Sequence, residues 1–476
     1  MLTWIITLTV PLAVLAAAVL VLLLDLALAA SGRSLGWLTA ILLIGVLVAS
    51  CLVDTSGISP HGVYVSNAWV LYFQRLFLIG GALSVLGSID WLEKRAARRQ
   101  AEYYALLLFS MVGMTLLPGA RDWVLLVMAF ELMGIPLYVL SAWEKGEGQG
   151  ERLAAEAGLK LFATGAASSG FTLFGLALLT GMSGTTAIST GARVELQPLA
   201  ALGLMFVLAG LAFKVGAVPF HFWIADTYQG APTPFVAFLS VAPKAGGLAA
   251  LSIVLLGGSG QASPVWLPAL LFLAAASMVV GNIFALPQSD VRRLLGFSGI
   301  AQIGYALLAL TTHSERGVAV MLFFIGSYLF TNLGVFFAVY AAAEGAGSHQ
   351  LVQLAGLYRR APRLCAALVA FLLSLAGIPF VVGFWAKLFL FLAAWQAGLV
   401  GMVALGVALA VVGLFYYLQV ARSTFMAEGK SGAPLHIPFA LGVTIAACML
   451  AVVSFGLWPQ ALLGPAQAAA HAFWTR

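Results

Sequence analysis

The sequence predicts an all-α polytopic membrane protein of about fourteen transmembrane helices. Three observations lead there. The first is composition. Of 476 residues, 62% are apolar and only 8% charged, and the mean hydropathy is +1.04. Soluble chains carry about 25% charged residues, so lipid must be the main solvent here. The second is length. Residues 34–53, 317–343 and 364–386 each run without Asp, Glu, Lys or Arg, and one crossing needs about 20 apolar residues. The third is the placement of the basic residues, which sorts the connections into two sides.

Breaking the chain at turn residues and charge clusters gives spans 1 to 14 at 4–30, 34–53, 68–92, 102–119, 121–143, 153–183, 196–219, 232–256, 264–286, 291–312, 317–343, 363–395, 398–425 and 436–460. Span 1 contains Ala27-Leu28-Ala29, which imitates a signal-peptidase site. No Lys or Arg precedes its apolar run, and the run exceeds a signal sequence in length, so it reads as a retained helix. With the N-terminus outside, the inner connections carry Arg33, Lys94, Arg95, Arg98, Arg99, Lys145, Arg152, Arg292, Arg293, Arg359, Arg360, Arg363, Arg422 and Lys430. The outer ones carry Arg121, Arg193, Arg316 and Arg476. Positive charge gathers on the cytoplasmic side, so both termini are expected outside.

Spans 7 and 12 read as broken helices. Ala217-Val218-Pro219-Phe220 and Gly377-Ile378-Pro379-Phe380 share a small–aliphatic–Pro–Phe pattern, each followed by a Phe-Trp pair. Proline removes a backbone donor and opens the helix. The two breaks are five spans apart, so they enter the membrane from opposite sides, the arrangement of inverted repeats in transporters.

An ionisable side chain inside a span costs roughly 2.5 kcal/mol or more. Glu131 in span 5, Lys214 in span 7, Lys244 in span 8 and Lys387 in span 12 all lie too far from a span end to snorkel comfortably. A buried ammonium whose carboxylate partner withdraws can release its proton, so these groups suit proton handling. His221 at the mouth of the span 7 break can relay protons near neutral pH. Lys160 lies seven residues into span 6 and reads equally as relay or snorkelling group. Arg75 and Asp25 read as interface or helix-contact groups.

Other chemistry is not signalled. Cys51, Cys365 and Cys448 are isolated, with no C-x-x-C, which leaves no disulfide framework and no iron–sulfur or zinc pattern. There is no phosphate-binding G-x-x-x-x-G-K-[ST] loop and no dinucleotide G-x-G-x-x-G. No span carries an inward pair of histidines for haem. The chain is expected to hold no cofactor of its own and to bind no nucleic acid.

The segment Phe213-Lys214-Val215-Gly216-Ala217-Val218-Pro219-Phe220-His221-Phe222-Trp223, continuing through Asp226-Thr227-Tyr228-Gln229-Gly230-Ala231-Pro232-Thr233-Pro234, resembles the antiporter-like membrane subunits of respiratory complex I, NADH-quinone oxidoreductase. Tyr-Gln-Gly-Ala-Pro is the version found in the N-type branch, subunit N, rather than in the L, M or Mrp-type branches. Ala225 departs from the proline usual there. Glu131-Leu132-Met133 with Pro136-Leu137-Tyr138, the stretch 156–175 with Lys160, Ser298-Gly299-Ile300-Ala301-Gln302-Ile303-Gly304, and Gly377 through Lys387 are similar to the family's fifth, sixth, tenth and twelfth helices. Lys at 387 and an end after span 14 also fit the N-type.

The resemblance implies two inverted five-helix repeats, spans 4–8 and 9–13. The chain then divides into 1–100, a first repeat at 101–257, a second at 258–427 and a last span at 428–476. It implies Glu131 and Lys214 as a coupled pair, Lys244 as the central relay and Lys387 as the exit, with Lys160 and His221 as further members. It implies a translocase subunit of a bacterial inner membrane, in which partner subunits hold NAD, FMN, iron–sulfur clusters and quinone. M-type and small hydrophobic membrane-arm subunits would be its neighbours. The alternatives are an Mrp-like cation/proton antiporter subunit, or the equivalent subunit of a membrane-bound hydrogenase or ferredoxin-oxidising complex.

Overall fold

The computed structural model describes residues 6–28, 33–52, 56–144, 149–188, 197–258, 263–426 and 434–475. Lys145, Arg193, Lys430 and Arg476, used above for orientation, lie outside them. Thirteen described helices are long and apolar enough to cross a membrane. Two shorter apolar helices, Pro362–Ala376 and Val382–Gln396, together form one further crossing. The result is fourteen crossings.

Spans 1 to 7 are Thr9–Leu28, Arg33–Leu52, Ala68–Arg95, Gln100–Leu116, Trp123–Ser141, Gln149–Ser183 and Pro198–Val215. A short helix, Trp223–Gly230, follows the span 7 break. Span 8 runs as Thr233–Leu239 and Ala242–Ser252, and spans 9 to 11 are Ser263–Ala285, Val291–Leu310 and Glu315–Ala346. Spans 13 and 14 are Val400–Phe425 and Phe439–Leu457. Two features had no sequence signal. A two-residue antiparallel hairpin pairs Gly57–Ile58 with Val65–Ser66 before span 3. A terminal helix, Gln460–Trp474, follows span 14 and packs across spans 3 and 11.

Span ends are fixed by capping, because the first backbone amides of a helix have no partner within it. Asn67, Asp122, Asp290 and Ser314 each accept from amides of the first turn of spans 3, 5, 10 and 11. Spans 8, 10 and 11 are almost wholly enclosed, while spans 1, 2, 6, 9, 13 and 14 expose most of their length. Of the four intramembrane ionisable groups singled out above, Lys244 lies on one of these enclosed spans. Spans 6 and 7 meet backbone to backbone: a methyl on Gly175 would come within 2.5 Å of the Gly203 carbonyl.

The breaks in spans 7 and 12 are built alike. Gly216 (φ 75°) and Gly377 (φ 87°) both close a helix in the left-handed conformation that glycine adopts without strain. Behind them the Ala217 amide donates to the Ala212 carbonyl and the Ile378 amide to the Leu373 carbonyl, the same six-residue closure. This places Gly216, not Ala217, opposite Gly377, correcting by one residue the register suggested by the Pro-Phe pattern. Span 7 spends one more residue between its glycine and its proline. Span 8, expected to be continuous, is also interrupted. Val241 leaves the helical conformation, and Pro243 explains it by removing a donor and crowding the carbonyl of Leu239 four residues earlier.

The connection between spans 11 and 12 crosses the end of span 10. The Val291 amide donates to the His349 carbonyl and the Leu351 amide to the Ser289 carbonyl. His349 Nε2 lies 3.1 Å from Thr233 Oγ1. Burial, with Arg292 adding to it, pushes the His349 imidazole down to about 3. The unfolded side chain titrates near 6.5, so the neutral form contributes stability fully above that pH, and the contribution is lost as pH falls toward 3. Between pH 7 and pH 5 the loss is about 2 kcal/mol. Hydrogen-exchange protection of the Val291 and Leu351 amides should therefore fall on acidification across that range. In His349→Gln it should stay flat.

Candidate functional site

Glu131, Gly134 and Tyr138 lie three and four residues apart, so they share one stripe of span 5. Lys214, in the last turn of span 7, packs against that stripe. A methyl on Gly134 would lie 3.2 Å from Lys214 Nζ and 3.1 Å from Tyr138 Oη. Lys214 Nζ is 3.3 Å from Tyr138 Oη and has the rings of Phe130, Tyr138 and Phe213 within 5.7–5.9 Å. Glu131 is one helical turn away and accepts from Ser169 Oγ of span 6 at 2.5 Å. Among the described ion pairs there is none within 4.0 Å between Glu131 and Lys214. The two charges face each other across Tyr138 and Ser169 without touching.

Lys214 also sits at the carbonyl end of its half-helix. The last carbonyls of a helix lack partners and form the negative end of its dipole. Lys387 finds the same kind of place by a different route. It rises from the second half of span 12, is 7% exposed, and its Nζ donates to the Leu375 and Ala376 carbonyls at 2.8 and 3.0 Å. Those carbonyls close the first half of span 12. The span 12 break thus offers its backbone terminus to an ammonium group, whereas Lys214 Nζ turns from its own helix end toward Tyr138.

Lys244 is placed differently. It lies in the first turn after the span 8 interruption, at an amide end, and is 1% exposed. Among the described residues its Nζ has no hydrogen-bond partner, and neither have the buried Tyr228 and Tyr328 hydroxyls. Nζ is 5.6 Å from the Tyr228 ring, and a methyl on Gly299 would be 2.9 Å from Nζ and 3.1 Å from Tyr328 Oη. Two unpartnered polar groups, Lys244 Nζ and Tyr328 Oη, therefore flank one glycine of span 10.

The ground on either side of Lys244 is unlike. Toward Lys214 stand Tyr228, Trp223 and Phe213, ring against ring at 6.3 and 5.7 Å. Toward Lys387 the structure is polar. Ser298 Oγ lies 2.5 Å from Tyr417 Oη, Gln302 Nε2 donates to Tyr417 Oη at 3.2 Å, and the same nitrogen donates to the Leu375 carbonyl that Lys387 holds. Ser298 neighbours Gly299, so this chain of hydrogen bonds runs from beside Lys244 to Lys387.

Lys160 and His221 lie elsewhere. Lys160 Nζ pairs with Asp226 at 2.7 Å and Glu156 at 2.6 Å, and Asp226 also accepts from Arg293 of span 10 at 2.5 Å. His221 is half-buried in the span 7 break, stacked on Phe222 at 4.8 Å. Arg75 caps span 2 by donating to the Ser50 carbonyl at 2.6 Å, a helix contact. Ser298 and Gln302 fell inside a motif noted above but carried no assigned role. Tyr138, Ser169 and Tyr228 likewise fell inside noted motifs without a role, and Tyr328 and Tyr417 had no signal, because single hydroxyls in apolar spans are common.

A multi-pass helical membrane subunit with lysines lodged at helix interruptions is the class these features define. A family model described as NADH:quinone oxidoreductase/Mrp antiporter, TM, matches residues 120–413. NADH-quinone oxidoreductase subunit N of Moorella thermoacetica is 38% identical over 93% of both chains, and that of Rhodospirillum rubrum 34% identical over 92% of this chain and 89% of the relative. Among solved structures, a chain of respiratory complex I from Thermus thermophilus with bound aureothin is similar at 33% identity with a TM-score of 0.80, covering 95% of this chain and 98% of that one. A chain of the Mrp complex from Dietzia sp. shares the fold at a TM-score of 0.88 with 22% identity, covering 100% and 98%. The chain belongs to the NADH:quinone oxidoreductase/Mrp antiporter family.

The Tyr417 hydroxyl is the only direct link between Ser298 and Gln302 among the described contacts. Tyr417→Phe should leave the subunit assembled and slow proton transport on the order of tenfold, below the usual loss for a missing proton donor because water can bridge. Transport in reconstituted vesicles measures it. Gly134→Ala, which crowds Lys214 away from Tyr138, should lower transport in the same assay.

Proposed function

We propose that the chain is the N-type proton-translocating subunit of an NADH-quinone oxidoreductase in a bacterial inner membrane, with both termini outside. NADH oxidation and quinone reduction take place in partner subunits, which hold NAD, FMN, iron–sulfur clusters and quinone. Its neighbours are an M-type subunit and small hydrophobic subunits of the membrane arm. The observation that carries this reading is the row Glu131, Lys214, Lys244 and Lys387 at the helix interruptions, in a chain whose near-full-length relatives are N subunits. Residues 101–257 and 258–427 form the two inverted repeats, supported by the matching closures at Gly216 and Gly377.

The relay works by electrostatics. Glu131 is separated from Lys214 by one turn, so a small displacement of span 5 changes the field at the ammonium without breaking a salt bridge. With Glu131 withdrawn, Lys214 gives up its proton. The rings of Phe213, Trp223 and Tyr228 form a dry section that water must enter before the proton reaches Lys244. The unpartnered groups around Gly299 suit an ordered water, since buried polar atoms find partners in protein or water. From there the hydroxyls of Ser298 and Tyr417 carry the path to Gln302, and because Gln302 Nε2 and Lys387 Nζ both donate to the Leu375 carbonyl, a water must bridge the last step to Lys387 and the outer side. Lys160, tied to Asp226, guards the inner mouth with His221.

Lys214→Ala should abolish most NADH-driven proton uptake by inverted vesicles assigned to this subunit, while assembly and the flavin-dependent oxidation of NADH by an artificial acceptor survive. Full pumping by that variant would remove Lys214 from the relay. Co-purification of a tagged chain with flavin and iron–sulfur subunits is expected. Sodium–proton exchange in membranes without NADH, with only small hydrophobic partners recovered, would instead assign the chain to the Mrp-like antiporters.

A further inference from the structure

One cavity lies apart from the relay, between the terminal helix and spans 3 and 11. Its volume is about 310 Å³, and Leu71, Leu76, Leu329, Phe330 and Leu462 are among its walls. Arg75 supplies the single charged group in that lining. The guanidinium spends one nitrogen on the Ser50 carbonyl, but its buried Nε has no hydrogen-bond partner. No carboxylate pairs with Arg75 among the described ion pairs. The rim carries the exposed Ala468 of the terminal helix.

A cation in an apolar wall at membrane depth calls for an anion. The guanidinium fork matches a phosphate better than any other common membrane anion. The rest of the wall is hydrocarbon, and the volume stands at the small end of ligand pockets, about 300 Å³. That is room for a segment of one alkyl chain. We propose that this cavity holds one glycerophospholipid, with its phosphate on Arg75 and one acyl chain between the terminal helix and spans 3 and 11. The lipid is then a structural cofactor of the terminal helix, which otherwise rests on those spans through few polar contacts, such as the Asn67 side chain on the Ala472 carbonyl at 3.2 Å and His471 beside Glu315 at 3.1 Å.

The test uses the assembled complex purified in mild detergent, with bound phospholipid counted by extraction and native mass spectrometry. Ala468→Trp fills the cavity from its exposed rim, and Arg75→Gln removes the cation. Each variant should carry one phospholipid fewer per complex than the unaltered complex. A benzophenone side chain at position 468 should give a phospholipid adduct on irradiation. An unchanged count in Ala468→Trp, or an adduct to a partner polypeptide in place of lipid, would overturn the proposal. Should Arg75→Gln fail to assemble, Ala468→Trp and the crosslink decide alone.

Discussion

The structure depends on one constraint: a charge inside a membrane must be met by something other than water. This protein meets one of its buried charges, Lys387, directly with backbone carbonyls. The closures at Gly216 and Gly377 leave helix ends inside the bundle. Lys214 belongs to the last turn at one, and Lys387 reaches the carbonyls of the other. A helix end is a fixed partial charge that does not titrate, so it can hold an ammonium group without competing for its proton. Near the Lys214 break the carboxylate is Glu131, which makes no ion pair with Lys214 among the described ion pairs and stands off from it.

Lys244 is the exception in the proposed row. At an amide end, without a hydrogen-bond partner and almost fully buried, its ammonium form has little to hold it. A group between two better-stabilised neighbours can pass a proton on without retaining it. The unequal surroundings matter as well. Rings stand on the Lys214 side, whereas Ser298, Tyr417 and Gln302 on the Lys387 side are hydrogen-bonded to one another. In the proposed relay, that difference sets which leg water must open before a proton can pass.

The sequence disclosed the parts that physics makes costly. Apolar length and the lack of charge fixed fourteen crossings, and an intramembrane Glu or Lys stands out because its burial is so unfavourable. What stayed hidden was inexpensive or depended on distant neighbours. A tyrosine in a span looks like any other aromatic until Tyr417 is seen bridging Ser298 and Gln302. The interruption of span 8 was missed although Pro243 falls in the middle of the span read at 232–256, because membrane helices tolerate proline; Val241 leaving the helical conformation makes it a break. The separation of Glu131 from Lys214 needed coordinates, since spacing in sequence says nothing of a gap between helices. Lys160 could be read either way until Asp226 and Glu156 were placed beside it.

Asp226 has a mechanical meaning beyond its charge. It rides on Trp223–Gly230, directly after the span 7 break, and is gripped by Lys160 of span 6 and Arg293 of span 10. That short helix is therefore a shared tooth between two gears. If it turns, both spans must turn with it or lose a charged contact. Through that one carboxylate a line of contacts joins span 6, whose Ser169 donates to Glu131, to span 10, which carries Ser298, with no helix unwound between them.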